Sequence, residues 1–399
     1  MTRAAPKPPA RRLPLALLAT LVLNLPLGTV YAFSVLLRPL EATLAVSRAE
    51  LSFVFGLALV CFTLGMNLAP LLYRLAPAWA LVGGAAALAA GGMGLAAAAT
   101  GLGQLAIGYG LGFGLGGGAA YVLLLQGVNL LLRERQGLVN GFIVSLYPAG
   151  AMLGAPLLGW SIGQWGLRPT LAGLATTLAM AGLAAALLAR AAAMTVVAPA
   201  GGTTVPPQRH AGIFARLWAV FFLAAAAGLT VIGQAAGIVA AYGGGSGLAL
   251  FAATAITGCI AVARLGGGWL ADRTTVPAVM AGAHALALLG DLLLLGFPGP
   301  LMAVATLIMI GTGYGIVSGS TAAAIGTYWG AAHYGRIAAR LYIAWCVAAV
   351  TLPIVAGRIF DLSGGYAGAI MLAMAGNALG ILVAATLPRR SVAPVQARS

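Results

Sequence analysis

One arginine stands inside a long apolar stretch, at a depth where a charge is costly. Arg264 lies roughly 12 Å of helix before Asp272 and Arg273, the next charged residues along the chain. A charge at the centre of a membrane costs at least ~2.5 kcal/mol on insertion scales. A planar guanidinium pairs well with a carboxylate. We therefore expect Arg264 to bind an anionic substrate in a central cavity; the alternative is a structural arginine that reaches the membrane surface or caps carbonyl groups.

Two further titratable residues share another apolar stretch. Asp291 and His284 are seven positions apart, which places them on one face of a helix. A buried carboxyl group can relay protons, and histidine titrates near neutral pH. We expect either a role in coupling transport to protons or a structural role, with Asp291 near the membrane surface just before Phe297 and Pro298.

The composition is that of a polytopic membrane protein. Of the 399 residues, 61% are hydrophobic and only 7% are charged, whereas soluble proteins carry about 25% charged residues. This excludes a soluble enzyme or binding domain. A span with its loop takes roughly 30–35 residues, which leaves room for about twelve spans.

The net charge of +15 does not indicate a nucleic-acid partner. The basic residues stand singly between apolar stretches rather than in runs interleaved with aromatic residues, and basic loops beside a membrane set its topology. The three cysteines, Cys61, Cys259 and Cys346, have no metal-ligand spacing. We expect them to be packing residues, and we expect no metal ion or cofactor.

Apolar stretches predict an all-α fold of twelve membrane-spanning helices. They cover 13–37, 50–73, 79–99, 102–131, 138–160, 168–190, 213–240, 248–270, 277–297, 300–328, 335–357 and 366–387.

The predicted spans fall into two halves of six. We expect a tail at 1–12, a first half at 13–190, a polar linker at 191–212, a second half at 213–387 and a tail at 388–399. Several residues repeat at an offset of about 200 positions, such as Gly28 with Gly228, as a duplicated six-helix unit would leave them.

The arginines predict the orientation. With an even number of spans, sixteen of the 21 basic residues lie on the side of both termini, and Arg264 lies within a span. Only Arg38, Arg48, Arg168 and Arg358 lie on the other side. Both termini are therefore expected to be cytoplasmic. The first apolar run is too long for a signal peptide and is expected to be retained.

The fourth predicted helix carries two glycine series at a spacing of four. Residues 112–117 match G-x-G-x-x-G, but they follow no strand and lie inside an apolar span, which excludes dinucleotide binding. We expect close helix packing instead. The two series are Gly108, Gly112, Gly116 and Gly110, Gly114, Gly118.

Two motifs make the chain resemble the major facilitator superfamily along nearly its whole length. One is Gly268-Trp-Leu-Ala-Asp272-Arg273 after the eighth helix, and its counterpart at 71–74 lacks the acid. The other is Gly150-Ala-Met-Leu-Gly154-Ala-Pro156 in the fifth helix. The resemblance implies the major facilitator fold, two pseudo-symmetric halves that rock about a central site, and a role for both motifs in that movement.

Within the superfamily, the chain most resembles the oxalate:formate antiporter and monocarboxylate transporter branch. The residues that carry this are 28–35, Ala263-Arg264 and 357–366. This branch has a substrate-binding arginine at the position of Arg264. However, Ile260 stands where animal monocarboxylate carriers have an aspartate, and Trp345 stands where the oxalate antiporter has a lysine. With one cation, a singly charged substrate is favoured over oxalate.

The resemblance also implies that the first, second, fourth, fifth, seventh, eighth, tenth and eleventh helices line the cavity. Aromatic and amide side chains fall in them, and each is either a cavity-lining residue or an ordinary packing or interfacial residue. The candidates are Tyr31, Tyr121, Tyr147, Tyr314, Tyr342, Trp345 and Asn24.

These observations predict a secondary transporter of small organic anions, resembling monocarboxylate carriers and coupled to protons or to a counter-anion. We expect a monomer in the bilayer of the bacterial inner membrane. One alternative is a proton-driven exporter of drugs or other small molecules with the same fold. The first six predicted helices lack the carboxylates that cationic drugs would need. A non-transporting receptor or scaffold is another alternative. An intramembrane enzyme would need a metal cluster or a nucleophile and base, for which the residues have no suitable spacing.

Overall fold

The computed structural model describes residues 12–131, 136–196, 211–329 and 334–389. Every regular element in these ranges is helical, and twelve helices are long and apolar enough to cross a membrane. The all-α prediction and the number of spans are thus confirmed. The spans are α1 Arg12–Leu44, α2 Arg48–Leu72, α3 Ala78–Ala97, α4 Leu102–Val128, α5 Phe142–Trp165, α6 Leu167–Ala191, α7 Ala211–Ala241, α8 Ser246–Ala271, α9 Val276–Gly296, α10 Pro300–Trp329, α11 Arg340–Ser363 and α12 Ala367–Ala385.

Twelve consecutive spans connect alternately at two faces of the bundle. We call the face with both chain ends the terminal face, and the face with the loops after α1, α3, α5, α7, α9 and α11 the opposite face. We call α1–α6 the N half and α7–α12 the C half. Most of the predicted tails and most of the predicted linker lie outside the described residues.

The first span is longer than its hydropathy indicates. It continues past Arg38 and Pro39 to Leu44, where Ala45 takes a left-handed conformation at φ 52°. Arg38 is exposed, so its charge does not interrupt the helix. The next helix begins with a capping box, in which the Glu50 side chain accepts from the backbone N–H of Ser47 at 2.8 Å.

The glycines of α4 allow it to pack closely against two helices. The Gly108, Gly112, Gly116 series faces α3, and the Gly110, Gly114, Gly118 series faces α2. A Cβ atom on Gly112 would lie 2.8 Å from the Cα of Gly92. One on Gly114 would lie 3.0 Å from the Cα of Ala58. The prediction of close packing is confirmed.

Candidate functional site

Arg264 lies between the two halves, with a tyrosine ring on each side. Its guanidinium carbon is 5.7 Å from the ring centre of Tyr31 in α1 and 5.6 Å from that of Tyr314 in α10, within the range of cation–π attraction. Its Nη2 donates to the Tyr314 hydroxyl at 3.3 Å. The arginine predicted from sequence therefore contacts residues of both halves.

The guanidinium has few partners and no counter-charge. Nη1 donates to the backbone oxygen of Val144 in α5 at a long 3.4 Å, and the buried Nε has no hydrogen-bond partner. Within the described ranges, the one salt bridge joins Arg48 to Glu41, so no described carboxylate neutralises Arg264. A half-buried cation without an acid is costly, and this geometry suits an anion.

Tyr314 accepts two hydrogen bonds at the same oxygen. Trp345 of α11 donates its Nε1–H to this hydroxyl at 2.8 Å, beside the bond from Arg264. A tyrosine oxygen has two acceptor sites and one hydrogen to donate. With both acceptor sites occupied, the Tyr314 hydrogen is directed away from Trp345 and Arg264, where it can be donated to a ligand.

The N half supplies the rest of an aromatic wall. Tyr147 lies 6.3 Å from Tyr31 and 5.5 Å from Tyr121 between ring centres. Phe62 of α2 contacts Tyr147 at 5.3 Å and reaches Trp345 of the C half at 6.3 Å. The structure thus brings these predicted aromatic residues together. Phe62 was not predicted from the sequence, where only its place in a cavity-lining helix pointed to it.

Small residues set the positions of these tyrosines. A side chain on Gly28 would collide with the backbone of Tyr147, and one on Gly228 would collide with the Tyr314 ring. These close approaches let α1 and α7 press directly against the tyrosine-bearing helices.

Tyr342 and Asn24 are the remaining predicted site residues, and Tyr342 lies near enough to Arg264 for the two groups to interact electrostatically. Tyr342 is half-buried and packs edge-on against Phe221 of α7, with ring centres 5.7 Å apart. Asn24 is fully buried in α1, and neither atom of its amide has a hydrogen-bond partner. Their roles in substrate binding stay predictions.

The two predicted conformational motifs lie at helix contacts. In α5, Gly150 approaches the Leu25 backbone of α1, a Cβ on Gly154 would lie 2.7 Å from Thr29, and Pro156 stands within the helix. The second motif ends α8, where Gly268 faces Gly319 of α10. Arg273 lies 4.1 Å from the ring centre of Trp269, and the Asp272 side chain is outside the description.

The two coupling candidates, His284 and Asp291, both form hydrogen bonds with one further residue, Asn377. Asn377 of α12 donates its Nδ2–H to Asp291 at 2.8 Å, and its Oδ1 lies 3.0 Å from Nδ1 of His284. Nε2 of His284 lies 3.2 Å from the backbone oxygen of Val220 in α7. The structure confirms that His284 and Asp291 share one face of α9. The asparagine between them was not predicted, because it is 86 positions away from Asp291 in the chain.

A polar network joins the halves at the opposite face. Asp361 of α11 accepts backbone N–H groups from Arg48 and Ala49 at 3.2 and 3.0 Å, so a C-half carboxylate caps the start of α2. The Arg48 side chain donates to Glu41 at 2.6 Å and to the Tyr366 hydroxyl at 3.1 Å.

The network continues to α7. Tyr366 donates to Gln234 at 2.7 Å, and Gln234 donates to Ser52 of α2. Burial raises the pKa of Tyr366 to about 12, so its hydroxyl stays neutral and keeps its hydrogen. We call Glu41, Arg48, Ser52, Gln234, Asp361 and Tyr366 the opposite-face lock. Arg48 was predicted only as a topology signal.

Comparisons with known proteins support the fold. The family model described as Major Facilitator Superfamily matches residues 17–353. A bacterial homolog of the human lysosomal transporter Spinster, solved inward-facing and unoccupied, has a TM-score of 0.67 and 13% identity, covering 95% of this chain and 96% of that one. A D-xylose–proton symporter has a TM-score of 0.75 and 14% identity, covering 94% of this chain and 98% of that one. No protein with curated annotation matches the sequence significantly. The resemblance to the monocarboxylate branch stays a prediction.

Proposed function

The chain belongs to the major facilitator superfamily, and from this premise we propose that it is a secondary transporter of small, singly charged carboxylates that bind at Arg264. The observation that carries the proposal is the guanidinium itself. It lies between the halves with an unpartnered Nε and no described carboxylate beside it. A carboxylate supplies both the missing charge and the missing acceptor.

The surrounding residues favour a small monoanion. The carboxylate accepts from Arg264 and from the hydrogen of Tyr314, which its two donors direct towards the ligand. Rings of Tyr31, Tyr147 and Trp345 exclude water and strengthen the charge interaction. Arg264 is the one cation placed in this wall among the described residues, so a dianion would keep one charge unpaired.

Alternating access follows from where the halves touch. In the described state the opposite-face lock holds the halves together at one face, so substrate exchanges through the terminal face. We propose that the terminal face is cytoplasmic, because most arginines lie on that side. Transport then requires the lock to open and the halves to rock about Arg264.

A thermal-shift screen tests the proposal. The purified protein, with Arg264→Ala and the exposed control Arg38→Ala, is melted with formate, acetate, lactate, pyruvate, oxalate and the cation tetraphenylphosphonium. A ligand that binds the folded state raises the Tm. A monocarboxylate should stabilise wild type and Arg38→Ala but not Arg264→Ala. Stabilisation of all three proteins by the cation, and by no carboxylate, would instead favour a cation exporter.

A further inference from the structure

Three polar side chains are buried between α9 and α12, away from the aromatic wall. His284 and Asn377 are 1% exposed, and Asp291 is 0% exposed. We propose that His284, Asn377 and Asp291 form a proton-binding site that exchanges one proton with the opposite face. This rests on the proposed function, for which it would be the coupling site.

The hydrogen-bond geometry fixes the number of protons. The Val220 oxygen can only accept, so Nε2 of His284 must carry a hydrogen. The Asn377 oxygen also only accepts, so Nδ1 carries one too. His284 is then an imidazolium ion. Asp291, which accepts from Asn377, is its carboxylate counter-charge.

Rotating the Asn377 amide gives the same count. Its nitrogen then donates to Nδ1 of a neutral His284, and its oxygen faces the Asp291 oxygen, which must carry the hydrogen. Both arrangements hold one proton beyond neutral histidine and ionised aspartate, and both are electrically neutral. Removing that proton leaves the Asn377 oxygen facing another acceptor, either Nδ1 of His284 or the Asp291 oxygen. It also leaves the Asp291 carboxylate as an uncompensated buried anion. The triad therefore retains its proton while it stays dry.

A small cavity with almost wholly apolar walls lies beside Asp291. About 20 Å³ is open to the centre of a water molecule, enough for one water. Its polar lining residues are Asp291, Thr230 and Tyr366. The second carboxyl oxygen of Asp291, Oδ1, is buried and has no hydrogen-bond partner. The apolar walls keep this cavity dry in the described state, and Oδ1 gains a donor when water enters from the opposite face.

The cavity connects the triad to the opposite-face lock. Tyr366 forms part of its wall and also bonds to Arg48 and Gln234. Opening the lock frees Tyr366 and admits water from the opposite face to Asp291. The residues that α7, α10 and α12 contribute to the cavity are not titratable, and Tyr366 is the one other titratable residue among its described lining residues. Arg48 and Glu41 stand behind Tyr366, outside the cavity lining.

Proteoliposome assays separate coupling from transport. Asp291→Asn keeps the hydrogen bond to Asn377, with the Asn377 amide rotated, but cannot release a proton. We expect it to retain counterflow of radiolabelled lactate at equal pH and to lose lactate accumulation driven by an acidic exterior, down to the level of protein-free liposomes. Thr306→Val, a buried change in the neighbouring α10, should keep both activities. Accumulation by Asp291→Asn equal to wild type would overturn the proton site.

A second measurement does not depend on a substrate. The chain has three histidines, so comparing ¹⁵N-histidine NMR spectra of wild type and His284→Gln identifies the His284 signal. At about pH 8, where an ordinary histidine is neutral and an ordinary aspartate ionised, we expect an imidazolium at His284 or a protonated-carboxyl infrared band that Asp291→Asn removes. A neutral His284 with an ionised Asp291 would overturn the proposal. If wild type shows the bound proton but transports no carboxylate, the proposed function is refuted and the proton site is not.

Discussion

Arg264 donates to the hydroxyl of Tyr314 at 3.3 Å. The same hydroxyl oxygen accepts from Trp345 at 2.8 Å. Tyr314 therefore does more than pack: it orients the guanidinium, and its own hydrogen is directed away from both donors.

Removing this hydroxyl tests its role as a ligand donor. Tyr314→Phe keeps the ring but leaves Trp345 and Arg264 without their common acceptor. Hydrogen bonds to charged groups contribute about 1.5–3 kcal/mol, so carboxylate affinity should fall roughly ten- to a hundredfold. Calorimetric titration measures this. Tyr328→Phe is the matched control, because Tyr328 is also buried but bonds to the backbone of Pro388. Equal affinities in Tyr314→Phe and wild type would show that the hydroxyl does not contact the ligand.

A second cation should change the charge of the preferred substrate. Trp345→Lys places an ammonium group beside Tyr314, close to the Arg264 guanidinium. These two positive charges repel each other unless a dianion binds between them. We expect oxalate binding to strengthen and lactate binding to weaken relative to the neutral control Trp345→Gln. Competition between oxalate and radiolabelled lactate measures the ratio. An unchanged ratio would mean that position 345 does not face the substrate.

Weakening the opposite-face lock should shift the conformational equilibrium. Asp361→Asn removes the carboxylate that caps α2 from the C half, so states open at the opposite face should gain population. Double electron–electron resonance between labels at the exposed positions Thr100 and Ser246 should show longer distances. Glu50→Gln is the control, since Glu50 bonds only within its own capping box. Identical distance distributions in Asp361→Asn and wild type would contradict the lock.

The packing of α4 against α3 predicts that alanine substitutions at two glycines have different effects on the melting temperature. Gly112→Ala would place its methyl group against Gly92, whereas Gly91→Ala meets nothing within 4 Å. Overpacking costs about 1–3 kcal/mol, so the Tm in detergent should fall for Gly112→Ala only. Equal melting temperatures for the two variants would show that α4 can move away from α3 at little cost.

Properties set by the local sequence were predictable, and those set by helix crossings were not. The length of apolar runs gave the twelve spans, and glycine spacing gave the two packing faces of α4. The cost of burying a charge singled out Arg264. By contrast, Phe62 and Asn377 are ordinary residues of apolar helices. Their importance comes from neighbours far away in the chain.

The opposite-face lock illustrates the same limit. Arg48 and Asp361 are 313 positions apart, and their contact exists only because α2 begins and α11 ends at the same face of the bundle. From the sequence, Arg48 was predicted only as one of the four arginines on the side opposite the termini. Likewise, the first apolar stretch was predicted to end at residue 37, but the helix continues to Leu44 and brings Glu41 to the face where it meets Arg48.

Calorimetric titration of lactate into wild type and Arg264→Gln tests the central claim most directly. The glutamine keeps a polar side chain but has no charge, and Arg38→Gln controls for the change in net charge. We expect lactate to bind wild type and Arg38→Gln with equal affinity and to show no measurable binding to Arg264→Gln. Binding to Arg264→Gln as tight as to wild type would show that the guanidinium is structural and that the substrate lies elsewhere.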